Sequence, residues 1–598
     1  AMSRASTRKR DQLDLFVARP AFVREAAVAP GVESTVTLES TTSSATVAIE
    51  PIAPERKPDA RLDAAPPLPD AAARSRIEED LDTNLLVEAG AGAGKTRAMV
   101  GRMVALIRAG RAHIAQIAAV TFTRKAAAEL RERFQTELEK ELLVARTDDD
   151  TAIATRMDAA LRDIDRAFVG TIHSFCARLL RERPLDAGID PGFRELMAGE
   201  EQRLRREYWS KHVERLAAEG DDSLGDLSRV GLRPAQLFTL FETLTDYADV
   251  SFPSEPVPRP DPSPARRELE ALMEEAEPLM PVEEPEAGWD ELQTAIRSLR
   301  FYRRLGWEDD VRFLDALASA FSSPNRITIV RWDEEAKVAA KALSNRFNDF
   351  ASEDGVGGRT LSQWYAHRYP VALSFAGRAA TEYAEERRRA GMLSFQDLLM
   401  LTAELLRSRP AAREELSERY RFVLVDEFQD TDPVQAEVLF LLAAEAAADW
   451  HGAVPRPGAL FVVGDPKQSI YRFRRADITL YSQVKERFRS FGAVLELTAN
   501  FRSRPPIERF VNETFRRHFP KEPTAQQAAF APMRVVWPDA EPQGVFFYSL
   551  TRKAKRDLDV DLAAQDADRV ASWIAARVRA GDRSAGDFMV LTRRKKHL

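Results

Sequence analysis

Cysteine is nearly absent: Cys176 is the only one in 598 residues. That excludes an internal disulfide and a four-cysteine iron–sulfur cluster, and it fits a reducing compartment, so the expected location is the cytoplasm. No apolar run approaches the ~18–20 residues needed to cross a bilayer, so no membrane partner is expected. An excess of basic charge is also missing. The net charge is −7 and the pI about 5.8, so any nucleic-acid contact has to use a local groove and not a basic body. Aromatic residues are absent between Phe22 and Phe122. Within that gap a Ser/Thr-rich run to Thr46 is followed by Pro51, Pro54, Pro58, Pro66, Pro67 and Pro69. Such a segment cannot bury enough apolar surface to fold, so residues 1–69 are expected to be disordered.

What is present starts with Asn84-Leu85-Leu86-Val87-Glu88-Ala89, an apolar strand that runs into Gly90-Ala91-Gly92-Ala93-Gly94-Lys95-Thr96. Met99, Val100, Met103, Val104 and Ile107 then recur at helical spacing up to Gly110. Strand, glycine turn, Gly-Lys-Thr and helix make a phosphate loop. The glycines allow backbone N–H groups to close around phosphate oxygens at a helix N-terminus. Lys95 is placed to reach the β- and γ-phosphates of ATP, and the Thr96 hydroxyl to ligate Mg²⁺. Ala89 stands where the Gly-x4-Gly-Lys-Thr pattern has its first glycine. The bland alternative is a Gly/Ala-rich helix start that binds nothing.

The chain is too long for one core, and about three to five domains are expected. Strands at Ile117–Thr121, Phe168–Ile172, Phe422–Val425, Leu460–Val463, Val494–Leu497 and Phe588–Leu591 alternate with helices, which indicates an α/β fold with a doubly wound parallel sheet. From about Glu200 to Gly391 the pattern is helical and charged, with a flexible loop expected over Pro253–Pro285.

Two carboxylates, Asp426 and Glu427, follow one apolar strand, in Val425-Asp426-Glu427-Phe428-Gln429-Asp430. An acid there can join a Mg²⁺ shell, and its neighbour can deprotonate water; alone, such a pair reads better as a solvated loop. The next strand leads to Val463-Gly464-Asp465-Pro466-Lys467-Gln468-Ser469-Ile470-Tyr471-Arg472-Phe473-Arg474, and the one after to Asn500-Phe501-Arg502-Ser503. Together with Gly170-Thr171-Ile172-His173-Ser174-Phe175 and Leu393-Ser394-Phe395-Gln396-Asp397, these segments resemble the UvrD/Rep-like superfamily 1 DNA helicases, in their RecB/AddA-like branch.

The resemblance covers residues 70–598 and implies a RecA-like phosphate-loop domain in two parts, 70–199 and 392–492. These would be separated by a helical accessory insertion at 200–391 and followed by the beginning of a second RecA-like domain at 493–598. It implies ATP and Mg²⁺ as cofactors, with Ala89 to Thr96 and Arg474 around the nucleotide and Thr96 and Asp426 at the metal. Glu427 would be the general base, Lys95 would bind phosphate, Gln468 would couple the γ-phosphate to DNA, and Arg502 would be an arginine finger. Thr121, Phe122, Thr123, His173, Tyr471 and Phe473 match positions along a single-strand path. Aromatic faces there would stack on any base; burial in a core is the alternative for each ring. The implied activity is a 3′→5′ helicase or translocase on single-stranded DNA and duplex DNA ends, in recombination or double-strand-break repair, with an AddB-like partner subunit.

Two departures accompany the resemblance. Where relatives carry an adenine-reading glutamine, this chain has Asp70-Ala71-Ala72-Ala73-Arg74. The family's later motifs and nuclease module have no counterpart before Leu598, so a shortened form with weak turnover is expected. A nucleotide- and DNA-binding scaffold without motor activity is the rival reading. Finally, Gln12-Leu13-Asp14-Leu15-Phe16 resembles the peptide by which bacterial repair proteins dock on the sliding clamp. An apolar pair in a segment that buries nothing suits a partner's pocket; chance, or a turn folding back on the protein, is the alternative.

Overall fold

In the computed structural model the described residues are 68–321, 326–445, 447, 449–472, 475–524, 526–539, 544–548 and 559–592. Among the described residues the chain divides into two compact units, one within residues 173–416 and the other within residues 68–172 and 417–592.

The second of these carries the sheet. Its strands are β1 (Asn84–Ala89), β2 (Ile117–Thr121), β3 (Phe168–Thr171), β4 (Phe422–Val425), β5 (Leu460–Gly464) and β6 (Gly492–Leu497), in the order β3-β2-β4-β5-β1-β6. Every pairing is parallel. The inner strands Phe-Val-Leu-Val and Leu-Phe-Val-Val-Gly are buried throughout, as continuous apolar runs in a parallel sheet should be. The helix α1 (Ala71–Glu79) precedes β1, α2 (Lys95–Arg108) follows it, and α3 (Arg124–Thr147) follows β2. Met99, Met103 and Leu106 of α2 pack with Leu85, Val87, Phe461 and Val463 in one core; each such side chain contributes about 1.5–3 kcal/mol on burial.

One charge is locked into this core. Arg102 donates to the carbonyls of Ile77 at 3.0 Å, Asp80 at 2.9 Å and Thr83 at 2.9 Å, and its guanidinium lies 5.2 Å from the Phe461 ring centroid. Burial pulls its pKa down to about 10, against the opposing pull of Asp80. The arginine satisfies carbonyls at the end of α1 and in the turn to β1, which fixes the approach to the glycine loop.

Because all six strands run the same way, their carboxyl ends share one edge, where ligands bind in open α/β sheets. This edge collects the Gly90–Thr96 loop, Thr121–Thr123, Asp426–Glu427, Asp465–Tyr471 and Thr498–Arg502. The strand expected at Val494–Leu497, assigned with 493–598 to a second motor domain, pairs instead along the whole of β1. No strand forms at Phe588–Leu591.

The other unit is helical. Its core includes Trp209, Trp307, Trp364, Phe313 and Phe347, and its longest helix, Val356–Arg389, carries Pro370 internally. The stretch expected to be a loop contains a helix, Ser263–Ala276. Pro264 sits in its first turn, where a missing N–H costs nothing, and Leu269, Leu272, Met273 and Ala276 are buried on one face. Among the described residues no helix is long and apolar enough to cross a membrane.

Candidate functional site

The glycine loop is shaped by two left-handed residues, Gly92 (φ 78°) and Gly94 (φ 87°), the second capping α2. It is held from two sides. On one side, Arg74 donates to the Ala93 carbonyl at 2.9 Å and grips both Asp70 carboxylate oxygens at 2.8 Å. Asp70 in turn accepts from the backbone N–H groups of Thr498 and Ala499, each at 2.9 Å. Burial pushes the Asp70 pKa up, but Arg74 and those two N–H groups outweigh it and hold the carboxyl below its ordinary range. On the other, Asn500 Nδ2 donates to the Ala91 carbonyl at 2.5 Å and Phe501 N–H to the Gly92 carbonyl at 2.9 Å. Asn500 Oδ1 also accepts from the backbones of Arg502 and Ser503, at 2.9 Å and 2.7 Å. Arg502 is thus fixed by its main chain beside the loop, and the residue is exposed.

Asp426 and Glu427 follow β4. Lys95 Nζ meets Glu427 Oε2 at 2.5 Å. Gln429 Nε2 donates to the same oxygen at 2.9 Å. Burial, and then the Glu427 charge, push the Asp426 pKa up to about 6; Lys95 and a backbone N–H oppose them only in part. Asp430 is raised to about 6 by the same two leading causes. The cleft therefore holds more negative charge than Lys95 compensates. A divalent cation would suit that surplus, and Thr96 at the start of α2 and Asp426 are the side chains that could offer it oxygens. Among the described residues no group of three or more His, Cys, Asp or Glu forms a cage. The remaining oxygens would come from phosphate and water, as Mg²⁺ usually requires.

A pH dependence follows. Asp426 has a raised folded pKa, so its contribution to stability is complete below about pH 3.8 and is lost as pH rises through about 6. A bound cation favours the ionised form and reverses that preference. Mg²⁺-dependent nucleotide affinity is expected to fall as pH drops below about 6, while Mg²⁺-free affinity changes less; titrations on either side of that pH, at roughly pH 5 and pH 7.5, check this.

Beyond β5, Asp465 accepts from Gln468 Nε2 at 2.8 Å and pairs with Lys467 at 2.9 Å. Further along, Tyr471 meets Phe122 with ring centroids 5.0 Å apart and planes tilted by 31°. Both rings are half-buried and Ile470 beside them is exposed, so the pair is neither full core nor free surface. Thr123 caps α3 by accepting from Ala126 N–H at 3.0 Å, whereas the Thr121 side chain is buried. His173 lies in the helical unit, its ring edge-on to Phe395 at 5.2 Å; burial holds its pKa below the usual value, with Glu195 opposing. Phe473, Arg474 and the Gln12–Phe16 peptide lie outside the described residues.

The reading from sequence missed three parts of this arrangement. In the sequence Asp70 and Arg74 are only a departure from a pattern, and Gln429 shows no role of its own. Trp537, whose indole N–H donates to the Phe501 carbonyl at 2.6 Å, carried no local signal.

Comparison with known proteins bears on the family of the chain. Residues 70–489 match the family described as UvrD/REP helicase N-terminal domain. The A subunit of the ATP-dependent helicase/nuclease of Levilactobacillus brevis is 29% identical over 496 residues, covering 73% of this chain and 38% of the relative. Its counterpart in Geobacillus kaustophilus is 28% identical over 573 residues, covering 83% and 43%. The one in Ligilactobacillus salivarius is 27% identical, covering 74% and 38%. The chain thus spans less than half the length of these relatives.

Proposed function

This chain belongs to the UvrD/REP helicase N-terminal domain family, and from that premise we propose that it is the ATP-hydrolysing part of a DNA helicase or translocase. It would act on single-stranded DNA with 3′→5′ polarity, in double-strand-break repair or recombination in the cytoplasm. The observation that carries the reading is the Glu427 carboxylate held between Lys95 and Gln429 at the mouth of the glycine loop.

In this reading Lys95 leaves Glu427 for the β- and γ-phosphates of ATP, and Thr96 and Asp426 would hold Mg²⁺. The ion would supply charge neutralisation on the phosphates. Freed of the lysine, Glu427 accepts a proton from water as general base. Gln468 senses the terminal phosphate, and Arg502 offers a cation to charge that develops during transfer. Phe122 and Tyr471 take single-stranded bases on their faces; for Phe473 and His173 a DNA contact is proposed from the family resemblance alone. Likeness to the helicase/nuclease relatives supports a partner subunit of AddB type, and Gln12–Phe16 is proposed to dock on the sliding clamp.

The test is single-turnover ATP hydrolysis with and without single-stranded DNA; stimulation supports a motor, and binding without hydrolysis supports a scaffold. Phe122→Ala and Tyr471→Ala are each expected to weaken single-strand binding by about 1–3 kcal/mol with little dependence on sequence. Unchanged DNA affinity alongside a lowered melting temperature would assign both rings to the core.

A further inference from the structure

Gln429 is 2% exposed, and its side-chain amide makes contacts in two directions. On one side Nε2 donates to Glu427 Oε2 at 2.9 Å and to Asp430 Oδ2 at 3.3 Å. On the other, Oε1 accepts from the backbone N–H of Asp465 at 2.8 Å. Ser469 Oγ adds a bond to the Gln429 carbonyl at 3.3 Å. The amide fills space that a side chain at residue 464 would need: a Cβ on Gly464 would stand 2.9 Å from Gln429 Oε1 and 3.1 Å from Tyr481. Glu427 itself sits at φ 52°, a left-handed conformation that a glutamate keeps only when its surroundings over-determine it.

A buried amide that commits a donor to a carboxylate and its acceptor to the main chain of the next strand end is a tie between the two. That main chain starts the segment Asp465–Tyr471, whose far end meets Phe122. From these contacts we infer that Gln429 is a positioning residue, transmitting displacement of the 465–471 segment to the Glu427 carboxylate. The inference rests on the reading of Glu427 as the base and of Tyr471 as a DNA contact. With the amide in place, Glu427 Oε2 is committed to Lys95 and Gln429. When the segment shifts, the Asp465 N–H moves, the amide follows, and the carboxylate reorients. Hydrolysis then answers to what occupies the aromatic pair.

The experiment uses the full chain carrying Gln429→Met, which keeps the volume and loses donor and acceptor, and Gly464→Ala, which presses on the amide without touching Glu427. Two readouts are taken: the ratio of DNA-stimulated to basal single-turnover hydrolysis, and hydrogen exchange over residues 464–472. The tie predicts a stimulation ratio lowered roughly tenfold, nucleotide affinity unchanged, and faster exchange over 464–472 with the β1 and loop amides unaffected. A ratio equal to wild type, or unchanged exchange, overturns it. If the wild-type protein hydrolyses no ATP, the functional reading fails. The exchange experiment still decides the tie. Should Gln429→Met not fold, Gly464→Ala decides it with the same two readouts.

Discussion

Replacing Glu427 by glutamine is expected to slow ATP hydrolysis by about 10²–10⁴-fold, the range general-base catalysis supplies, while nucleotide affinity stays within a few-fold. The substitution preserves shape and removes the negative charge together with the ability to accept a proton. It also releases Lys95 from a 2.5 Å ion pair, so phosphate binding has no reason to weaken. A second consequence separates this account from simple damage. The Glu427 charge is the second cause, after burial, of the raised pKa of both Asp426 and Asp430. Without it both carboxyls move back toward their ordinary range. The acid limb of Mg²⁺-dependent nucleotide binding should shift to lower pH in the variant. Hydrolysis within a few-fold of wild type would remove Glu427 from the base role.

Gly92→Ala is expected to be as severe, through binding and not chemistry. At φ 78° an alanine costs about 1–2 kcal/mol. Its Cβ would stand 2.6 Å from Arg502 Cβ and 3.0 Å from Asn500 Nδ2. Neither neighbour can retreat cheaply, because Asn500 and Phe501 are hydrogen-bonded to the Ala91 and Gly92 carbonyls of the loop. Overpacking adds about 1–3 kcal/mol. The loop must open, and nucleotide affinity should fall by roughly 10–10³-fold, measured by titration of a fluorescent ATP analogue. Gly90→Ala is the control for stability: its Cβ would have only Asp465 Oδ2 within reach, at 3.9 Å, and its melting temperature should match wild type. Equal nucleotide affinity in Gly92→Ala and wild type would show that the clasp on the loop is incidental.

These two sites differ in how far the sequence announced them. The loop was legible because its signal is local: an apolar strand, three glycines, Lys95 and Thr96, then a helical repeat, all within one stretch. The same holds for Phe-Val-Leu-Val followed by Asp426 and Glu427, since a buried parallel strand leaves an unbroken apolar run. The clasp was not legible. Asp70 reaches Thr498 and Ala499 from the far side of the sequence, 428 and 429 residues away, and no periodicity reports such a bond. Gln429 lay in plain view, yet an amide between two acids reads as solvated until the fold buries it. The helix Ser263–Ala276 was obscured by the density of proline and glutamate around it, although Pro264 at its start is itself a helix signal. Chain order alone puts Val494–Leu497 after β5, with the next domain; the sheet order places it beside β1.

The central claim is that one sheet edge joins a nucleotide site to a single-strand site. It is tested most directly by the affinity of the protein for a fluorescent single-stranded oligonucleotide, measured with and without a non-hydrolysable ATP analogue and Mg²⁺. The loop, Glu427, Gln429 and the Asp465–Tyr471 segment form a continuous bonded path, so the account predicts a change of about fivefold or more in DNA affinity on nucleotide binding. The same factor should appear in nucleotide affinity on DNA binding. Identical affinities in the two conditions, with both ligands shown to bind, would contradict it.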